Sequence, residues 1–195
     1  MVLRKIKPEI RIIGIDDSPF SKSTKNVLVI GAVFRSGLYL EGVLSCLIKK
    51  DGNDSTDKLI ILVNKSKHKG QLRIIMINGI AVGGFNVIDL EKLSKKTSLP
   101  VIVIIRRKPN FEKIKKALSR FKDSEERFNL IQKAGKVYGT KINKMNLYYQ
   151  FYGLSRKFAE EAIKLSATHS LVPEPIRVAH IIGSGIVLGE TKGRV

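Results

Sequence analysis

Two short apolar runs in this chain end in the same way. Ile12-Ile13-Gly14-Ile15 runs into Asp16 and Asp17, and Ile74-Ile75-Met76-Ile77 runs into Asn78. In an open α/β sheet, ligands collect beyond the carboxyl ends of parallel strands. If the two runs are neighbouring parallel strands, Asp16 and Asn78 bring oxygen ligands into one crevice, with Asp17 as a possible second carboxylate. Magnesium (or manganese) takes such oxygens and completes its shell with water and phosphate oxygens. A metal site of this kind activates water and steadies the leaving oxygen in phosphodiester cleavage. The plainer reading is two turns: Asp16-Asp17-Ser18-Pro19 bonding its own backbone, and Asn78-Gly79 as a turn pair.

Other chemistry-bearing residues are graded against the same alternative. Asp51 and Asp54 would complete a metal cluster if a third strand ended beside the first, but Asp-Gly is a turn signal and Asp54 suits a helix cap. Arg106-Arg107-Lys108 follows an apolar run, where three cations beside a crevice would hold a phosphate. Lys113, Lys115 and Lys116 would extend that patch along a helix; the alternative is a solvated face. Of the three histidines, His68 reads as solvated, His169 as a loop residue, and His180 as a core histidine or a group at the rim of the site. Cys46, alone among Leu44, Leu47 and Ile48, reads as a packed thiol, and one cysteine permits no intrachain disulfide. No Cys/His metal spacing, P-loop or nucleophile elbow is present.

The balance of 36 lysines and arginines against 17 acids gives a net charge of +19. A surface this basic attracts polyanions by counterion release, and nucleic acid is the commonest. An anionic membrane, a solubilising lysine surface, or a basic structural protein of ribosome or chromatin are the rivals. The first ten residues lack an apolar segment long enough for a leader, and the uncharged stretch 74–88 is too interrupted to span a membrane. A cytoplasmic protein with no membrane partner is expected.

The elements that must position these residues follow from hydrophobic period and punctuation. Strands are expected over 10–15, 27–34, 39–49, 72–77 and 101–105, with a hairpin turn at Ser36-Gly37. A helix capped by Asp54 carries Leu59, Leu62 and Val63, and Gly70 closes that element. A second helix is expected around 86–94, with Val87, Leu90 and Leu93 inward. A third is capped by Asn110, with Phe111, Ile114, Leu118 and Phe121 on one side. Residues 124–150 read as a helical excursion. Ser155 caps a helix with Phe158, Ala162 and Leu165 inward, and Pro175 opens a last helix that Gly183 and Gly185 could shorten. Hairpin strands followed by β-α-β-α units make a single α/β domain over 1–195, a mixed sheet with helices on both faces.

The chain resembles the archaeal relatives of endonuclease V, the endonuclease dU family. The segments that carry the likeness are GIDDSPF (14–20), LEGVLSCLIKKDGNDST (40–56), ING with GGFNVIDL (77–90), TSLPVIVIIRRKP (97–109) and LVPEPIRVAHIIGSGIVLGETKGR (171–194). The resemblance implies a ribonuclease H-like sheet and a magnesium-dependent endonuclease that acts on DNA carrying uracil or hypoxanthine, in repair. It also implies roles. Asp16 falls on a metal-binding aspartate. Asn78 falls where endonuclease V has a second aspartate. Arg106 falls, by its offset from Pro100, near the position of a lysine after the Leu-Pro strand, and His180 falls on the histidine of the Pro-Glu-Pro helix. The third-strand glutamate of endonuclease V has no counterpart, and Tyr39-Leu40-Glu41-Gly42 lacks the proline of its strand-separating wedge. The loss of charge at Asn78 opens an alternative: a non-catalytic nucleic-acid-binding protein on an inactivated nuclease scaffold.

Overall fold

The computed structural model describes residues 8–191. Residues 1–7 and the Lys192-Gly193-Arg194 end of the last motif lie outside the described residues.

Three strands open the chain: β1 (Arg11–Asp17), β2 (Asn26–Arg35) and β3 (Tyr39–Lys49), joined as an antiparallel meander. Then come α1 (Ser55–Asn64), β4 (Leu72–Asn78), the small hairpin β5 (Ala81–Val82) and β6 (Asn86–Val87), α2 (Leu90–Thr97) and β7 (Val101–Ile105). The second half holds α3 (Phe111–Leu118), α4 (Ser124–Lys133), β8 (Tyr138–Ile142), β9 (Met145–Tyr152), α5 (Arg156–Ser166) and α6 (Glu174–Leu188). The main sheet has seven strands in the order β3-β2-β1-β4-β7-β9-β8. The central strands β1, β4 and β7 run parallel, flanked by antiparallel pairs on both sides.

Period-two alternation divides the core. Ile13, Ile15, Ile75, Ile77 and Val103 face α1 and α2 with Leu59, Val63 and Leu93. Ile12, Ile74, Met76, Ile102 and Ile104 face the other way, against Ala159, Ala162 and Ile163 of α5 and Ile176 of α6. The helices therefore cover both faces, as the pattern of elements requires.

Helix α6 lies directly on β1, and a glycine makes that possible. A Cβ added at Gly14 would sit 2.2 Å from the carbonyl carbon of Pro175 and 2.4 Å from Ile176 N. These are backbone atoms, so nothing flexible yields. Gly14→Ala is expected to cost about 1–3 kcal/mol, read as a thermal midpoint lower by roughly 2–4 °C per kcal/mol for a chain of this size. An unchanged midpoint would mean that α6 does not seat on β1 this closely.

Several local expectations need correction. Residues 124–150 are not one helical excursion: α4 ends at Lys133, and β8 and β9 form a hairpin that extends the sheet. Asn143 and Lys144, both with positive φ (47° and 68°), make its two-residue turn. The helix expected from 86 starts at Leu90, because Asp89 caps it by accepting from Lys92 N, while Val87 lies in β6. Asp54 stands before α1 but makes no cap; its carboxylate accepts from Lys49 N and Asn86 Nδ2. Helix α1 ends at Asn64, well before Gly70. The buried residues of α5 are Ala159, Ala162, Ile163 and Ser166, with Phe158 and Leu165 only partly covered, and Phe111 on α3 is exposed. Glu174, not Pro175, is the first residue of α6, which runs through Gly183 and Gly185.

Candidate active site at the carboxyl edge of the sheet

Strands β1 and β4 are adjacent and parallel, with Ile15 opposite Ile77. Asp16 and Asn78 therefore leave the sheet side by side, on the face that α6 covers. Asn78 Nδ2 donates to Asp16 Oδ1 at 3.0 Å, and Asp17 N donates to the same oxygen at 3.0 Å. The other oxygen, Oδ2, lies 3.0 Å from His180 Nδ1 on α6. Asp16 is only 2% exposed. Buried polar atoms need hydrogen-bond partners, and these three groups supply them to both oxygens.

The His180 imidazole is held above its ordinary value, first by its hydrogen bond to Asp16; desolvation and the charge of Arg106 oppose this. Arg106, exposed at the end of β7, is thus close enough to act on the same cluster. His180 is placed at the heart of the site rather than at its rim.

Asp17 does not join Asp16. Alternation turns its side chain to the opposite face, where Oδ2 accepts from Gly83 N of the β5–β6 hairpin at 2.8 Å. Burial first, and then the charge of Asp16, push the Asp17 carboxyl up to about 6. Its position makes it a strut for the hairpin. Asp51 and Asp54 also stay apart from Asp16. Asp51 accepts from Phe85 N, and Asp54 is tied to Lys49 and Asn86. Their oxygens are taken by the β5–β6 hairpin and the end of β3, as their turn-forming residue types allow.

Arg107, Lys108, Lys113 and Lys116 are exposed beyond β7 and along α3. None of the ion pairs among the described residues involves them or Arg106. His169 is exposed in the loop before α6, as expected. His68 is half-buried rather than solvated: its ring backs onto Gly42, where a Cβ would meet Nε2 at 2.4 Å. Cys46 is half-buried too, and burial pushes its thiol up to about 11, which suits packing and not nucleophilic attack.

Sequence reasoning missed two groups. Ser18 follows Asp16 on the same face and is 1% exposed. Among the described residues its Oγ is the one buried side-chain oxygen or nitrogen without a partner. It rests on Gly183, where a Cβ would lie 2.5 Å away, so α6 is pressed against β1 on both sides of His180. The second is Arg127, which is 7% exposed. It donates to the carbonyls of Asp51, Gly52 and Phe85 and pairs with Asp123. Arg127 clamps the β3–α1 loop to the β5–β6 hairpin. A lone arginine in a polar helix gives no sequence signal for such a role.

The donor set has a definite character. It offers one carboxylate, one amide and one imidazole, and among the described residues no group of three or more His, Cys, Asp or Glu residues is placed to hold a metal. Magnesium seldom uses an all-protein cage. It binds through one or two carboxylates, keeps several waters and takes the rest of its ligands from substrate phosphate. Asp16 is the one carboxylate of the set, and the Asn78 amide turns its nitrogen toward it.

The family model for endonuclease dU matches residues 8–187. A UPF0215 protein of Methanothermobacter thermautotrophicus is 47% identical over 192 residues, covering 97% of this chain and 94% of the relative. A UPF0215 protein of Methanosarcina mazei is 48% identical over 191 residues, with 97% and 96% covered. A protein of unknown function from Archaeoglobus fulgidus has a similar crystal structure, with a TM-score of 0.83, 37% identity and 91% and 98% of the chains covered. Ciona intestinalis endonuclease V, solved with a DNA 24mer containing inosine, gives a TM-score of 0.57 at 14% identity, covering 87% of this chain and 82% of that one. The last likeness is one of fold, the ribonuclease H-like fold expected from the sequence. No helix among the described residues is long and apolar enough to cross a membrane.

Proposed function

Because the chain belongs to the endonuclease dU family, we propose that it binds DNA carrying a deaminated base, uracil or hypoxanthine, and cuts its phosphodiester backbone at Asp16 in a magnesium- or manganese-dependent reaction of repair. The observation that carries this reading is the meeting of Asp16, Asn78 and His180 at the carboxyl ends of adjacent parallel strands, within the field of Arg106.

Each group has a part that its position supports. Asp16, together with Asn78 once its amide oxygen is turned outward, would hold the cation. A bound divalent cation supplies Lewis-acid polarisation of the phosphate and a more acidic water. His180 Nδ1 keeps the Asp16 carboxylate oriented and holds a proton beside it. Arg106 and Lys108 receive the phosphate, as planar and point-like cations respectively. Arg107, Lys113 and Lys116 extend the cationic track along α3.

A specific observation favours a second reading. Both Asp16 oxygens are satisfied internally, and the neighbour that could have been an acid is Asn78. On that reading the chain binds nucleic acid without cutting it. Asn78→Asp separates the two. Aspartate is nearly isosteric with asparagine, so packing survives, and the added charge strengthens a hard-cation site. Without metal, two carboxylates at this spacing repel, so the variant melts below the parent. Magnesium then raises its midpoint more than the parent's, and cleavage rises by roughly tenfold. The magnesium response is read by thermal denaturation and the rate by single-turnover cleavage. If neither changes, Asn78 does not face a cation.

A further inference from the structure

The carboxyl edge of the sheet has a second cationic flank, on the side of Asp16 away from Arg106. Three chain segments meet there: the β1–β2 loop, the start of β2 and the end of β3. Ser18 N donates to Leu28 O, Asn26 pairs with Lys49, and Lys50 N donates to Lys25 O. Lys22, Lys25 and Lys49 are all exposed at this corner, and none takes part in an ion pair among the described residues.

The loop that carries two of them has a fixed shape. Ser21 N donates to Thr24 Oγ1, Thr24 N donates to Ser21 O, and Lys50 Nζ donates to the carbonyls of Ser21 and Lys22. Lys50 is therefore spent on holding the loop, while the ammonium groups of Lys22, Lys25 and Lys49 remain open to solvent. The two acids of the corner, Asp51 and Asp54, are turned onto backbone amides and the Asn86 amide. The exposed charge there is positive.

Strand order gives this corner its meaning. Along β3-β2-β1-β4-β7, the strand carrying Asp16 is the middle one. The edges of this stretch end in Lys49 on one side and lead into Arg106-Arg107-Lys108 on the other. Four inter-strand spacings of about 4.8 Å separate them, roughly 19 Å. At about 3.4 Å per phosphate along one strand of a duplex, that distance covers roughly five to six nucleotide steps.

We infer that Lys22, Lys25 and Lys49 form a second phosphate-binding flank, so that a nucleic-acid backbone crosses the carboxyl edge of the sheet with Asp16 beneath its middle and the Arg106–Lys116 track on the far side. This rests on the reading of Asp16 as the centre of a nucleic-acid site, and it adds where the chain enters and leaves that site.

The test is equilibrium binding of a fluorescent DNA duplex across a salt series, in EDTA and without divalent metal, so that cleavage plays no part. The full chain is compared with K22A/K25A/K49A and with K141A/K157A/K164A, whose lysines are exposed on β8 and α5. Both variants lower the net charge from +19 by three, to +16, so general charge is matched. The expected result is a log–log salt slope shallower by about 2.7 for the first variant, three contacts at about 0.9 each, and unchanged for the second. Equal slopes for the parent and K22A/K25A/K49A, or equal losses in the two variants, overturn the second flank while leaving the Arg106 side intact. Failure of the parent itself to bind DNA overturns both the flank and the nucleic-acid reading on which it rests.

Discussion

Asp16→Ala should lower metal-dependent strand cleavage by at least about a hundredfold and leave DNA affinity within about twofold. The first effect follows because Asp16 is the one carboxylate among the groups that meet at the site. The second follows because the exposed cations lie on neighbouring elements and do not depend on it. Alanine also strips partners from Asn78 Nδ2 and His180 Nδ1 in a buried setting, at about 1–3 kcal/mol for an unsatisfied group. A folded fraction must therefore be measured alongside. Asp16→Asn guards against a trivial loss of structure, since it keeps the shape and one acceptor while removing the charge. If either variant cuts as fast as the parent, Asp16 is a turn residue held by its neighbours and the site lies elsewhere.

DNA affinity should fall steeply with salt. The five cations Arg106, Arg107, Lys108, Lys113 and Lys116, with Lys22, Lys25 and Lys49, make eight candidate phosphate contacts. At about 0.9 per contact the log–log slope approaches −7, and affinity drops by about four orders of magnitude between roughly 50 and 200 mM salt. The +19 net charge favours salt-dependent binding to any polyanion; the size of the slope is what discriminates. A slope shallower than about −2 would mean that only one or two of these cations touch phosphate. A salt-independent affinity would mean that the basic surface serves another purpose.

The parts of this site that sequence reveals are those governed by short-range rules. Apolar runs ending in Asp16 and Asn78 mark two buried strands, and period-two alternation places both side chains on one face at the strand ends. Adjacency of the strands is a matter of topology, supplied here by the βαβ unit through α1. His180 could be placed on the last helix from the Pro173-Glu174-Pro175 turn, but its contact with Asp16 depends on Gly14 and Gly183 letting α6 settle on β1. Glycine in a strand or helix signals close approach without saying to what. Asp17, Asp51 and Asp54 mislead in the sequence because carboxylates look alike there. In the fold each is committed to a backbone amide. The β8–β9 hairpin is hard to read in the sequence because β8 is a short edge strand with polar residues on its exposed side. Arg127 and Ser18 could not be found from sequence: one acts through three carbonyls distant in the chain, and the other by a contact with a glycine.

The central claim is that this edge of the sheet cuts DNA at a deaminated base with the help of a divalent cation. Its most direct test is a single-turnover assay of the purified protein on end-labelled strands that differ only in one base, uracil, hypoxanthine or an ordinary base, each with magnesium, with manganese and with EDTA. Strand scission is expected only on the strands with the altered base, present with metal and absent with EDTA. Tight, salt-sensitive binding to all strands with no scission under any metal would contradict it, and would leave a nuclease scaffold that holds nucleic acid without cutting it.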